Sequence, residues 1–124
     1  MNITDKLFEM QDIKYRDFTA KLIPNISPNS MIGVRLPQVK KLAKELYRGS
    51  EYIDFINSLP HTYFEEYHLH CYIISEMKDF EELLIELEKL LPYIDNWSVC
   101  DSLRPKCFSK SKEKRLPPGN LFLL

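Results

Sequence analysis

A chain of 124 residues, 44% hydrophobic and 28% charged, has the size of one domain and enough apolar material for a core. No apolar stretch approaches the ~20 residues that cross a bilayer, and the opening MNITDKLFEM lacks the apolar run of a signal peptide. The net charge of −1 hides an uneven distribution. Residues 1–48 hold nine basic and five acidic residues (+4), residues 49–96 two and eleven (−9), residues 97–108 sum to +1 and residues 109–124 to +3. A polyanion is therefore expected to meet the first block or the tail, not the middle.

The spacing predicts a first helix over 4–22, capped by Thr4 or Asp5, with Leu7, Met10, Ile13 and Phe18 as its apolar stripe. Pro24 and Pro28 end it. A long loop, PNISPNSMIGVRLP, follows. Residues 37–48 give the clearest helix, with Val39, Leu42, Ala43, Leu46 and Tyr47 at i, i+3, i+4, i+7, i+8 and Pro37 in the first turn. Gly49 suits its C-terminal cap. A short helix is expected over 51–58, closed by Pro60. Thr62 and Glu65 form a T-x-x-E pattern opening a helix to about Met77. Asp79 caps the next, where Phe80, Leu83, Leu84, Leu87, Leu90 and Leu91 trace one stripe to Pro92. Asp95 or Asn96 caps a last short helix, stopped by Pro105 near Leu103. No segment alternates with period two over the length of a strand. The expected fold class is all-α, and helical pairs stacked as HEAT-like repeats fit the succession of short, Pro-marked joints.

Three cysteines, Cys71, Cys100 and Cys107, match no disulfide framework, so reduced thiols in a cytoplasmic protein are expected. HLHC, residues 68–71, puts His68 and Cys71 on one helical face, but two ligands do not close a zinc site. Glu65 and Glu66 fall in a first helical turn, where acids usually serve the cap and the dipole. Arg35 precedes a helix N-terminus, where amide groups and a guanidinium fork together suit a phosphate. In DNWSVCDSL, residues 95–103, the single tryptophan Trp97 and Asp101 lie four apart and share a helical face. By spacing alone, a core tryptophan and a locally paired aspartate satisfy that pattern as well as a site does.

The order of the pieces adds what spacing does not. GVRLPQVKKLAKEL (33–46), YFEEYHLHCYIIS (63–75) and LPYIDNWSVCDSL (91–103) come in succession. Over roughly residues 5–108 the chain resembles the amino-terminal half of the AlkD-type DNA alkylation repair proteins, a HEAT-like helical-repeat solenoid family of DNA glycosylases. The resemblance implies excision of cationic alkylated purines such as 3-methyladenine and 7-methylguanine from double-stranded DNA, with no metal or organic cofactor. Asp101 matches the family's catalytic aspartate and Trp97 the aromatic residue that shapes the cleft against the DNA backbone. Arg35, Lys40, Lys41 and Lys44 are then the expected DNA-binding residues. Family members are usually longer, and their later helices supply a further arginine that no residue here replaces, so weak excision is expected of this chain. The alternative is a non-catalytic helical-repeat interaction module. Residues 1–108 are read as the helical domain and 109–124 as a divergent basic and apolar tail whose LFLL end either docks on the helices or begins another element.

Overall fold

The computed structural model describes residues 2–24, 26–94, 98–99 and 102–103. Among them all regular structure is helical. The order is α1 (Ile3–Glu9), α2 (Ile13–Leu22), a 3-10 turn (Pro28–Ser30), α3 (Leu36–Arg48), α4 (Glu51–Ile56), α5 (Phe64–Ser75), α6 (Phe80–Leu90) and a second 3-10 turn (Leu91–Tyr93). The expected all-α class holds.

The expected single helix over 4–22 is two. Asp12 breaks it: its amide donates to the Gly33 carbonyl (2.8 Å) and its side chain accepts from the Tyr15 amide, capping α2. The predicted apolar stripe breaks with the helix. Leu7 is fully buried and Met10 half-buried, whereas Ile13 and Phe18 are 46% and 59% exposed.

Helix α3 follows the pattern, burying Val39, Leu42, Ala43 and Leu46 and packing along α5. Its lysines, Lys40, Lys41 and Lys44, all face solvent. Helix α6 buries Leu83, Leu87 and Leu90 on one side, and Asp79 caps it through the Glu81 amide. Helix α5 is the centre. Its buried residues run from Phe64 to Ser75 on nearly every side, Leu69, Ile73 and Ile74 completely. A helix apolar only on one stripe cannot be enclosed this way, and α5 carries Glu65, Glu66, His68 and His70 inward as well. Each fully buried leucine or isoleucine contributes about 1.5–3 kcal/mol, while each buried polar group must find a partner or cost free energy.

The expected Thr62–Glu65 capping pair is displaced by one residue. Glu66 Oε1 accepts from the Tyr63 amide (2.8 Å) and the Thr62 amide (3.1 Å), and Glu66 Oε2 accepts from the Thr4 hydroxyl of α1. Glu65 is thereby left to turn inward.

The loop before α3 is tied just as closely. Gly33 has φ +97°, and a Cβ there would come within 2.5 Å of the Asp12 carbonyl oxygen and 2.8 Å of Arg16 Cβ. Glycine supplies both the left-handed backbone and the space. Gly33→Ala should cost at least about 2 kcal/mol in urea unfolding, combining backbone strain with a backbone clash. A cost below about 0.5 kcal/mol, the size of an ordinary surface substitution, would show that the α2 contact is not close.

Candidate functional site

A cleft of about 250 Å³ opens where α2, the loop before α3, the start of α5 and the 98–102 turn meet. Tyr15, Phe18, Phe64 and Tyr72 give it aromatic walls, and Glu65, Ser98 and Ser102 give it polar atoms. Four segments distant in the sequence thus border one space.

Glu65 builds one side. It is 3% exposed. Its Oε1 accepts from the Ile32 amide (2.8 Å), and its Oε2 accepts from the amides of Gly33 (2.9 Å) and Val34 (3.3 Å). A carboxylate with three backbone donors fixes the loop that delivers Arg35. Sequence reasoning assigned Glu65 to a helix cap and missed this role. Its partner amides lie 31–33 residues upstream, so no local pattern signals them.

Arg35 projects beside the cleft from between Val34 and Leu36, both lining residues. Its Nη1 donates to Asp12 Oδ2 at 2.9 Å, and its guanidinium lies 5.0 Å from the Tyr15 ring centroid. The Tyr15 amide first, and Arg35 next, hold the Asp12 carboxyl below its ordinary range. The side chain is still 55% exposed. Arg35 is therefore held in one orientation by an ion pair and an aromatic face, with part of its fork open to solvent.

Ser98 and Ser102 form the other side. Ser98, Val99, Ser102 and Leu103 are all buried, and the Ser102 amide donates to the Val99 carbonyl at 3.0 Å. Beneath them sits His68 of α5, fully buried, bonded to Ser102 Oγ through Nδ1 and to Ser98 Oγ through Nε2 (3.2 Å). Burial pushes the His68 pKa down to about 3, so the imidazole is neutral. The predicted pair Trp97 and Asp101 lies outside the described residues, as does the expected Asp95 or Asn96 cap. Ser98 and Ser102 border the same cleft as Val34 and Leu36, which flank Arg35; Lys40, Lys41 and Lys44 are not among its lining residues.

A second, wider cleft of about 550 Å³ lies against α4 and the start of α1. Glu51, Asp54 and Glu66 line it and no lysine or arginine among the described residues does, so its charge opposes a phosphate backbone despite its size.

A family model described as DNA alkylation repair enzyme matches residues 4–120. The chain belongs to that family. No curated protein and no solved structure matches the chain. The matched span takes in both walls of the aromatic cleft and the whole of DNWSVCDSL. A DNA alkylation repair role follows from the family, and no helix among the described residues is long and apolar enough to cross a membrane.

Proposed function

We propose that this member of the DNA alkylation repair family is an AlkD-type N-glycosylase that excises cationic alkylated purines, 3-methyladenine and 7-methylguanine, from double-stranded DNA in the cytoplasm, on a HEAT-like repeat scaffold. The observation that carries the reading is the meeting of the Arg35 loop and the 98–102 turn at one cleft. A purine made cationic by alkylation is already a good leaving group. Its excision asks for an anion to stabilise the oxocarbenium-like sugar and to hold the attacking water. Asp101 fills that role in this reading, and Trp97 shapes the cleft against the sugar–phosphate backbone.

The neighbours of the pair support it. Ser98 and Ser102, the residues that follow Trp97 and Asp101 in the chain, line that cleft. Arg35, oriented by Asp12 and Tyr15 with part of its fork open to solvent, takes a backbone phosphate in this reading. Exposed Lys40, Lys41 and Lys44 add positive charge along α3.

A second reading is favoured by one feature. Phe18 and Leu22 of α2 are 59% and 55% exposed, the kind of apolar surface expected of an interaction module. Product analysis separates the two. Incubated with methylated duplex DNA, the chain should release free 7-methylguanine, identified by chromatography of the small-molecule fraction. Recovery of the alkylated base only within intact DNA would favour the interaction module.

A further inference from the structure

We propose that His68 is the positioning residue of the excision site, gripping Ser98 and Ser102, the two residues that directly follow Trp97 and Asp101 in the chain. The inference rests on the assignment of Trp97 and Asp101 made above. It begins from what a buried imidazole can bond. A neutral ring has one N–H and one lone pair. Ser98 Oγ and Ser102 Oγ each face one ring nitrogen, and Ser102 Oγ also lies 3.4 Å from the Ser98 carbonyl oxygen. One arrangement satisfies every donor. The Ser98 hydroxyl donates to Nε2, Nδ1–H donates to Ser102 Oγ, and the Ser102 hydroxyl donates back to the Ser98 carbonyl. The opposite tautomer also allows two bonds, but Ser102 then donates to the ring and leaves the Ser98 carbonyl without that donor.

This closed ring of bonds does three things that packing alone does not. It joins α5 to the turn across 30 and 34 residues of sequence. It contacts the chain one residue after each member of the proposed pair, at two points, so it fixes where Ser98 and Ser102 lie on α5. It also places the bridge behind the cleft, with Phe64 edge-on to the imidazole (centroids 4.6 Å apart, 79°) and Ser98 and Ser102 on the cleft wall. His68 itself does not line the cleft, which makes it a positioning group and not a reacting one.

The test uses His68→Leu, His68→Asn and the double variant Ser98→Ala/Ser102→Ala, with the helical content of each checked by circular dichroism. Single-turnover release of 7-methylguanine should fall by roughly 10- to 100-fold in His68→Leu, the range in which small misplacements of a catalytic group act. DNA affinity should stay unchanged. The serine double variant should show the same loss. Combining it with His68→Leu should add nothing further, because the three groups form one unit. His68→Asn, which keeps a donor near Nδ1, should recover part of the rate. If Asp101→Asn abolishes release while His68→Leu and the serine variant match the wild type, the proposal is overturned and the glycosylase reading stands. If the wild-type chain releases no base, the glycosylase reading fails and fluorescence of Trp97, the only tryptophan, decides the mechanical claim. Acrylamide quenching should change about twofold in the serine variant if the turn is freed locally, and an unchanged quenching constant overturns the grip. Should His68→Leu fail to fold, the serine variant alone carries both readings.

Discussion

Glu65→Ala is expected to lower the unfolding free energy by about 3–5 kcal/mol, because it strands three buried amide donors at once. The amides of Ile32, Gly33 and Val34 sit in buried backbone, and the structure gives each of them the Glu65 carboxylate as acceptor. Each stranded donor costs about 1–3 kcal/mol, and the cavity left by the side chain admits only partial relief. For a domain of this size the loss corresponds to a melting temperature lower by roughly 10–20 °C. Glu65→Gln should fall between, since one amide oxygen can still accept while the NH2 group meets donors. The consequence reaches the site, because the freed loop carries Arg35. Thermal and urea unfolding of the two variants check the order. A Glu65→Ala chain within about 1 kcal/mol of the wild type would mean that other acceptors serve the loop.

Acid is expected to unfold the protein well above the range in which carboxylates alone would do so. Burial depresses His68 to about 3, and burial first and His61 next depress His70 to about 3. Desolvation also lowers His61, opposed by the nearby Glu66. In the unfolded chain a histidine titrates near ~6.5. Between those values the unfolded state binds protons that the folded state refuses, so stability is full above about pH 6.5 and falls as the pH drops towards 3. Two such groups together remove about 3 kcal/mol between pH 7.5 and 5.5, and about 2.7 kcal/mol per further pH unit. The two groups together remove about 4 kcal/mol by pH 5 and about 7 kcal/mol by pH 4, so a domain at the low end of the usual 5–15 kcal/mol range should cross its midpoint between roughly pH 5 and 4. The geometry agrees with the sign. His61 Nε2 and His70 Nδ1 lie 2.9 Å apart, and His70 Nε2 is buried with no partner among the described residues. Only the tautomer in which His70 Nδ1–H donates leaves a bare lone pair there instead of a bare N–H. A proton on either ring destroys that arrangement. Urea unfolding from pH 8 to 4.5 measures the slope, which should be roughly halved in His70→Leu. Stability that is flat between pH 7.5 and 5.5 would contradict the account.

What the sequence made legible was whatever depends on neighbours three or four residues apart. Helix α3 and helix α6 follow from their leucine spacing, and Asp79 from its place before an acidic first turn. The break between α1 and α2 was not read, although Asp12 is an ordinary N-cap. The deciding bond is the one from its amide to the Gly33 carbonyl, and a stripe through Leu7, Met10, Ile13 and Phe18 outweighed a single cap. The enclosure of α5 is the opposite case. Its acids read as cap and dipole residues and His68 as half of an incomplete metal pair, and their actual partners made them interior: the distant loop amides for Glu65, the Thr62 and Tyr63 amides with the distant Thr4 for Glu66, and the distant Ser98 and Ser102 for His68. The resemblance singled out Arg35, Trp97 and Asp101. The groups that hold neighbouring segments, Asp12, Glu65 and His68, are visible only in the folded structure, because support of this kind is defined by distance in space and leaves no spacing along the chain.

The most direct measurement of the central claim is single-turnover release of 7-methylguanine from a duplex carrying one such lesion, compared between the wild type and Asp101→Asn at protein concentrations that saturate DNA binding. The account expects the substitution to cut the rate by roughly 100-fold or more, as loss of a group stabilising transition-state charge does, with DNA affinity retained. Wild-type release that Asp101→Asn leaves unchanged would contradict it.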